Sequence, residues 1–526
     1  MRRRVVKSDL NLKSTSADVS AGRVARDSVP TGLDRPVHVA QDSLLCSSSM
    51  YTNYRGFFTL SLILLALSNI RVALENLIKY GVLINHQSIL LIWFKETNFM
   101  PATLVFFVSH VFILTAFGVE KCLARSLISH RVGLAIIVGN LLTLLAFPAM
   151  CTLASESNPL GASLCLMFYW SLFMKLVSYA HVNGWYRARM TKTQPNAEAE
   201  RDQRTDKASV KLNYPKNLTL KNMYYFVVAP TLCYELNFPR SPRIRKGFLL
   251  KRFLEMIFLP WLIMALAQQW IFPIVRNSVT PFEAMNFSGI VERLLKLAIP
   301  NHLLWLILFY LCFHSYLNFM AELLHFADRE FYRDWWNAST SRYFWQNWNI
   351  PVHRWCVRHL YKPLISCGCS CKTANSSVFV FSAFFHEYLI SVPLHVFRIW
   401  AFVAMLMQIP LNKLTSAIPA EHYLWGNMLV WLSVILGQPL CILMYYHDWY
   451  VAHRSDLPQP MRPPVCVRHE PFLATPAIGI SNFEAVWPCC VSGLITSHCV
   501  LPLSVSLSTY ILCHPSQRCH DQQAVL

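Results

Sequence analysis

His386 and Glu387 stand side by side inside Val378–Leu394, a stretch otherwise dominated by apolar and aromatic residues. Related charged groups at the centre of a spanning helix cost roughly 2.5–3.5 kcal/mol on insertion scales, so an ionisable pair at that depth marks a functional site by default. The bland alternative is a histidine that hydrogen-bonds between helices as packing glue. Burial favours the neutral imidazole, whose titration range lies near working pH. Such a group suits removal of a proton from an alcohol, worth about 10²–10⁴-fold in rate. If the alcohol attacks a thioester, the electrophile is already activated and no nucleophilic side chain is required.

Other chemistries are disfavoured by what surrounds the pair. His386-Glu-Tyr-Leu-Ile390 ends on isoleucine where a zincin H-E-x-x-H needs its second histidine. The chain has no G-x-S-x-G elbow, no Walker loop and no histidine followed five positions later by aspartate. Cys367-Gly-Cys-Ser-Cys371 is dense in thiols but lacks zinc-type spacing, so no metal site is expected.

A second constellation is Phe331-Tyr-Arg-Asp-Trp-Trp-Asn337, followed by Tyr343-Phe-Trp-Gln-Asn-Trp-Asn-Ile-Pro-Val-His353. By residue type alone it reads as an amphipathic interfacial helix with its indoles at headgroup level. Asn347, Asn349 and His353 also place amides and an imidazole beside apolar surface, where buried polar groups need partners and a substrate carbonyl would serve.

These residues need a scaffold, and composition defines it. Of 526 residues, 54% are apolar and 14% charged, well below the roughly 25% charged residues of soluble domains. The fold class expected is all-α: a polytopic membrane protein of about nine transmembrane helices, counted as uncharged or singly interrupted runs of roughly 20 residues. The nine include the uncharged run between Glu255 and Arg276 and the short run Ile399–Pro410. The net charge, 47 − 28 = +19, concentrates in the N-terminal tail and in Arg187–Lys251, including Pro239–Lys246. In a membrane protein that excess is a topogenic signal or a contact for anionic lipid or substrate phosphates, and nucleic acid is not implied. Four spans between the two basic segments put both in the cytosol. Residues 1–50 read as a disordered basic cytosolic tail, residues 51–452 as the membrane domain, and residues 453–526 as a divergent tail rich in Pro, Ser, Cys and His. No signal peptide is recognised at the N-terminus.

The motif set F-Y-x-D-W-W-N, W-N-x-P-V-H and an intramembrane H-E-Y resembles the acyl-CoA branch of the membrane-bound O-acyltransferases. That branch holds the diacylglycerol and the sterol O-acyltransferases. The fuller match is to the type 1 diacylglycerol group, through Asn69–Gly81, Tyr224–Lys246, Ser382–Pro393, Leu436-Gly-Gln-Pro439 and Tyr446-His-Asp-Trp-Tyr450. It covers about residues 40–452. The resemblance implies an endoplasmic-reticulum, multi-pass enzyme, a homodimer or homotetramer, with an intramembrane reaction chamber. It would join the acyl group of a fatty acyl-CoA co-substrate to diacylglycerol, with no permanently bound cofactor. His386 would be the catalytic base, Asn349 would line the chamber and Glu387 would support the site. Phe331, Tyr332, Arg333, Asp334, Trp335, Trp336, Asn337, Trp348, His353, Tyr361, Lys362 and Ser382 would shape the acyl-CoA path. Gln408 and Gln438 are further chamber candidates. A sterol, retinol or long-chain alcohol acceptor stays open, as does a non-enzymatic transporter or lipid-binding protein. Paired broken helices in related halves, the mark of many transporters, are not visible.

Asn217, Asn286, Asn337 and Asn375 each begin an Asn-x-Ser/Thr sequon, and the orientation above puts only Asn286 in the lumen. Asn286→Gln is expected to abolish an endoglycosidase-sensitive mobility shift in microsomes, and Asn217→Gln to preserve it. The reverse result inverts the topology.

Overall fold

The structure is a computed structural model that describes residues 55–85, 99–155, 159–192 and 212–452. The basic N-terminal tail and the divergent C-terminal tail lie outside these residues. The chain divides into two units, Met1–Glu75 and Asn76–Leu526. Helix α1 (Arg55–Tyr80) begins in the first. The described remainder continues with α2 (Phe99–Ala124), α3 (His130–Ala154), α4 (Pro159–Lys192), α5 (Leu220–Val228), α6 (Lys246–Leu266), α7 (Phe272–Arg276) and α8 (Val279–Glu283). Then follow α9 (Phe287–Phe309), α10 (Leu317–Leu323), α11 (Ser341–Asn347), α12 (Ile350–Cys356) and α13 (Lys362–Ser366). The last are α14 (Cys371–Leu394), α15 (Trp400–Leu406), α16 (Gln408–Ser416) and α17 (Tyr423–Ala452). Among the described residues there is no strand, only an isolated antiparallel bridge between Arg240 and Phe326.

Seven of the described helical stretches are long and apolar enough to cross a membrane. Four of them precede residue 191, as the charge distribution requires. Two runs read as spans are not among the seven. Residues 255–276 lie in α6 and α7, which run together through a π turn at Ala267–Ile271. Residues 399–410 fall in the short helices α15 and α16.

The π turn explains the polar residues of the first run. Gln268 Oε1 accepts from the Asn85 backbone N–H and Gln269 Oε1 from that of Leu83, each at 2.9 Å. Gln269 Nε2 donates to the Gly81 carbonyl at 2.9 Å. Gly81, at φ +68°, turns the chain out of α1 in the left-handed conformation that glycine adopts without strain. The two glutamines thus satisfy backbone groups of the segment that follows α1.

Two apolar cores fill the second unit. One packs α2 to α5 against α12, α13 and α14. The other packs α6 to α9 against Trp335, Trp348, α14, α15 and α17. Helix α14 is the shared wall: Phe381, Phe385, Leu389 and Val392 face the first core, Ile390 and Leu394 the second. Buried polar contacts brace this frame. Glu120 on α2 accepts from Arg187 on α4 and from the Tyr214 hydroxyl. Lys175 Nζ donates to the Phe226 and Ala229 carbonyls at 2.9 and 2.6 Å, closing the end of α5.

The aromatic segment after residue 327 is not an interfacial helix. Phe331, Trp335 and Trp348 are buried. Backbone pairing explains why: Arg333 N donates to the Asn347 carbonyl and Ile350 N to that of Phe331, at 2.8 and 3.0 Å. The stretch is thereby folded back on α11 and α12, and its rings become core. The sequons also differ in setting. Asn217 is buried and donates to Asn183 and to Tyr234 at 3.0 Å, whereas Asn286 is exposed at the start of α9.

Helix α17 approaches this segment closely at Gly426, where a Cβ would lie 2.2 Å from the Ser339 carbonyl oxygen. Asn427 beside it donates to the carbonyls of Trp336 and Ala338 at 3.1 and 2.8 Å. Gly426→Ala is therefore expected to destabilise the protein by about 1–3 kcal/mol, the usual penalty of overpacking. Thermal unfolding in detergent checks this, with Gly139→Ala on α3 as control, since nothing lies within 4 Å of its Cβ position. Equal midpoints for both variants would refute the close approach.

Candidate active site

A cleft of about 710 Å³, counting its open mouth, lies between α11, α12 and α14. Its walls are two helical stripes. On α11 and α12 the lining residues Arg342, Trp345, Gln346, Asn349, Val352, His353 and Cys356 recur at three- and four-residue steps. On α14 Asn375, Val378, Phe379 and Ser382 do the same. His386 is the next residue of the α14 stripe, one turn beyond Ser382, and is fully buried.

The imidazole is oriented by its own helix. His386 Nδ1 lies 2.8 Å from the Ser382 backbone carbonyl, and Ser382 Oγ is 3.4 Å from the same nitrogen. A carbonyl oxygen only accepts, so Nδ1 carries the proton and donates. In the neutral ring that leaves the lone pair on Nε2.

Asn349 is oriented by a different helix. It precedes α12, and its Oδ1 accepts from the Val352 backbone N–H at 3.3 Å. With the oxygen engaged as a helix cap, the amide NH₂ is what Asn349 offers to the cleft. Asn349 is itself buried, so that donor is held in a fixed direction.

Glu387 belongs to another face of α14. Its Oε1 accepts from the Ile399 backbone N–H at 2.9 Å and from the Ser391 hydroxyl. Its Oε2 accepts from the Phe402 backbone N–H at 3.1 Å and from the Tyr445 hydroxyl at 2.7 Å. Ile399 is a β-branched residue at φ +54°, a conformation that costs on the order of 1–3 kcal/mol and persists only where its surroundings enforce it. The carboxylate supplies that enforcement. It ties the start of α15 to α14 and α17, from the residue that follows His386 in the chain.

The remaining sequence candidates are scattered. His353 lines the cleft. Burial, with the guanidiniums of Arg333 and Arg354 nearby, pushes its imidazole down to about 4, so it enters the cleft uncharged at neutral pH. Gln408 accepts from Trp345 Nε1 and from the Ser341 hydroxyl, both at 3.2 Å, and so fixes a cleft-lining ring. Gln438 accepts from Asn301 Nδ2 at 3.4 Å, between α9 and α17. In the second core Trp348 stacks on Trp305 and Trp335 meets Trp305 edge-on. Phe331 is buried in a small core with Ala229 and Ala321. Tyr332 bonds His314 at 2.8 Å, Arg333 pairs with Glu330, and Asp334 accepts from Tyr343 and Asn337. Trp336 is exposed. Tyr361 is buried at the end of a π turn and Lys362 is exposed after it. Of these remaining candidates His353 alone lines the cleft. Arg342, Gln346, Asn375 and Asn412 line it as well, and were not singled out from the sequence as site residues. For the first two, the signal was present in the three- and four-residue spacing that runs from Arg342 to His353. Among the described residues no three His, Cys, Asp or Glu side chains gather as a metal-ligand set.

A family profile described as "MBOAT, membrane-bound O-acyltransferase family" matches residues 122–447. The chain is 51% identical over 424 residues to diacylglycerol O-acyltransferase 1 of Bos taurus, covering 80% of this chain and 86% of that protein. The corresponding Homo sapiens protein is 52% identical over 415 residues, 79% of this chain and 84% of its own length. That of Dictyostelium discoideum is 37% identical over 426 residues, covering 80% and 67%.

Glu387→Gln places an NH₂ donor among groups that themselves donate. We expect a loss of about 1–3 kcal/mol, the cost of an unsatisfied buried donor, visible as a lower thermal midpoint. The apparent KM for acyl-CoA should change little. An unchanged midpoint would show that the carboxylate does not hold α15.

Proposed function

The chain belongs to the membrane-bound O-acyltransferase family, and from that premise we propose that it transfers a fatty acyl group from acyl-CoA to the free hydroxyl of diacylglycerol, with His386 as general base. The single observation that carries the assignment of the base is the α14 stripe, which leads from the cleft through Ser382 to an imidazole whose proton is committed to Nδ1. The names of the curated relatives supply the reaction.

In this reading the acyl-CoA thioester lies in the cleft, with Arg342 and the neutral polar groups of Gln346, His353, Asn375 and Asn412 along its coenzyme portion. The guanidinium suits a phosphate, and the amides suit the amide-rich arm between phosphate and sulfur. The acceptor hydroxyl approaches His386 Nε2. Nε2 takes the hydroxyl proton as the oxygen bonds to the thioester carbon. Negative charge develops on the carbonyl oxygen, and the Asn349 NH₂ is the preorganised donor that stabilises it. The carbon–sulfur bond then breaks, and the coenzyme thiolate leaves with the proton that Nε2 returns. Ser382 holds the ring, and Glu387 ties α14 to α15 and α17. Phe331 and Trp348 act through packing, since buried aromatic rings contribute chiefly area and shape. We place the enzyme in the endoplasmic-reticulum membrane, as a homo-oligomer.

The test uses microsomes from cells that make no neutral lipid of their own, given labelled oleoyl-CoA with diacylglycerol, cholesterol or retinol. Wild type is expected to form labelled triacylglycerol. His386→Ala, at equal protein level, should lose at least 10²-fold in rate. Steryl or retinyl ester as the main product would reassign the acceptor. Full activity of the alanine variant would remove His386 from the chemistry.

A further inference from the structure

Helix α9 carries a group of buried polar atoms that the cleft does not explain. Asn301 Oδ1, both ring nitrogens of His302, and Trp305 Nε1 have no hydrogen-bond partner among the described residues, and neither does Trp335 Nε1. Asn301, Trp305 and Trp335 are each at most 3% exposed. These side chains form one cluster. Trp305 meets Trp335 edge-on at 5.3 Å between ring centres, and His302 stacks on Trp305 at 5.3 Å. Trp431 on α17 meets both His302 and Trp335, at 5.4 and 5.8 Å. Asn301 Nδ2 reaches Gln438 two turns further along α17.

An unsatisfied polar group costs several kcal/mol in the hydrocarbon region, and α9 lies within a stretch long and apolar enough to cross it. Several such groups converging at one place describe a ligand site with a definite polarity. The two indoles only donate. Asn301 Oδ1 only accepts, and His302 does both when neutral. With His302 neutral the cluster offers three donors and two acceptors, and a ligand with two carbonyl oxygens on an otherwise apolar body can take both indole N–H groups.

The cluster also has a fixed relation to the cleft. Along one face of α14, Ser382 lines the cleft, His386 follows one turn later, and Ile390 one turn after that. Ile390 packs in the same core as Trp305, Trp335 and Trp348. His386 therefore shares one face of α14 with Ser382, which lines the cleft, and with Ile390, which packs in the core that holds the polar cluster.

We propose that Trp305 and Trp335, with Asn301 and His302, form the acceptor-recognition site, and that the indole N–H groups donate to the two ester carbonyls of diacylglycerol. This rests on the function proposed above and adds the means by which a diester alcohol is told from other alcohols. Trp335 then serves the acceptor, and acyl-CoA does not touch it. A site built to hydrogen-bond a substrate group discriminates against analogues that lack it, because its own buried groups are left unpaired.

The test compares two acceptors that share a free hydroxyl: 1,2-dioleoylglycerol, and the 1,2-dioleyl diether that lacks both carbonyls. Trp305→Phe and Trp335→Phe keep a ring in the core and remove only the N–H-bearing part of the indole. With purified full-length protein, wild type should prefer the diester. Each variant should lower kcat/KM for the diester about five- to tenfold, the scale of one hydrogen bond. Turnover of the diether and the KM for oleoyl-CoA should stay within twofold. Parallel loss on both acceptors, or a rise in the oleoyl-CoA KM, would mean that the indoles act through packing or on the acyl-CoA side. No change on either acceptor would mean that the cluster holds only trapped water. Both results overturn the proposal. A wild-type protein that makes no triacylglycerol would instead defeat the underlying function.

Discussion

The architecture of the site depends on one hydrogen bond inside one helix, from His386 Nδ1 to the Ser382 carbonyl. In water such a contact would be worth little, because the ring could exchange it for solvent. In the interior of a membrane protein no such exchange exists, and the bond decides which nitrogen keeps the lone pair. Everything else that matters to the imidazole acts by holding α14 in place. The helix is wedged between two apolar cores, and Glu387 ties it to the start of α15. The first core supplies part of the cleft wall, and the second holds the polar cluster of α9.

The same constraint accounts for features that look unrelated. Gln268 and Gln269 satisfy backbone groups of the segment after α1, Lys175 closes α5, and Glu120 is neutralised by Arg187. In each case a polar side chain at depth is committed to a named partner. Against that background Asn301, His302, Trp305 and Trp335 gather several buried polar atoms without a hydrogen-bond partner among the described residues.

Much of this was legible in the sequence, and the rest was hidden for identifiable reasons. An ionisable pair in an apolar run exposes itself, so His386 could be found from composition and spacing. Helical class and the four leading spans follow from the length of uncharged runs. The role of Glu387 was not legible, because its backbone partners at Ile399 and Phe402 come from a loop whose course no local pattern dictates. Trp348 and Trp335 read as surface or substrate-path residues because interfacial and buried indoles share one composition, and only the backbone pairing of Arg333 with Asn347 turns them inward. Arg342 and Gln346 drew no reading of their own, and Asn375 was read only as the start of a sequon. Asn301 and His302 sit in an uncharged run that was counted as a span and not read further.

The most direct measurement is a cryo-electron microscopy structure of the full-length protein with a thioether analogue of oleoyl-CoA, which binds but cannot transfer its chain. The account predicts the coenzyme along the Arg342–His353 stripe, and the sulfur beside the Asn349 amide. His386 should present Nε2 to the reacting carbon, with Nδ1 still on the Ser382 carbonyl. An acyl chain threaded among Trp305, Trp335 and Trp348, or an imidazole turned so that Nδ1 faces the sulfur, would contradict it.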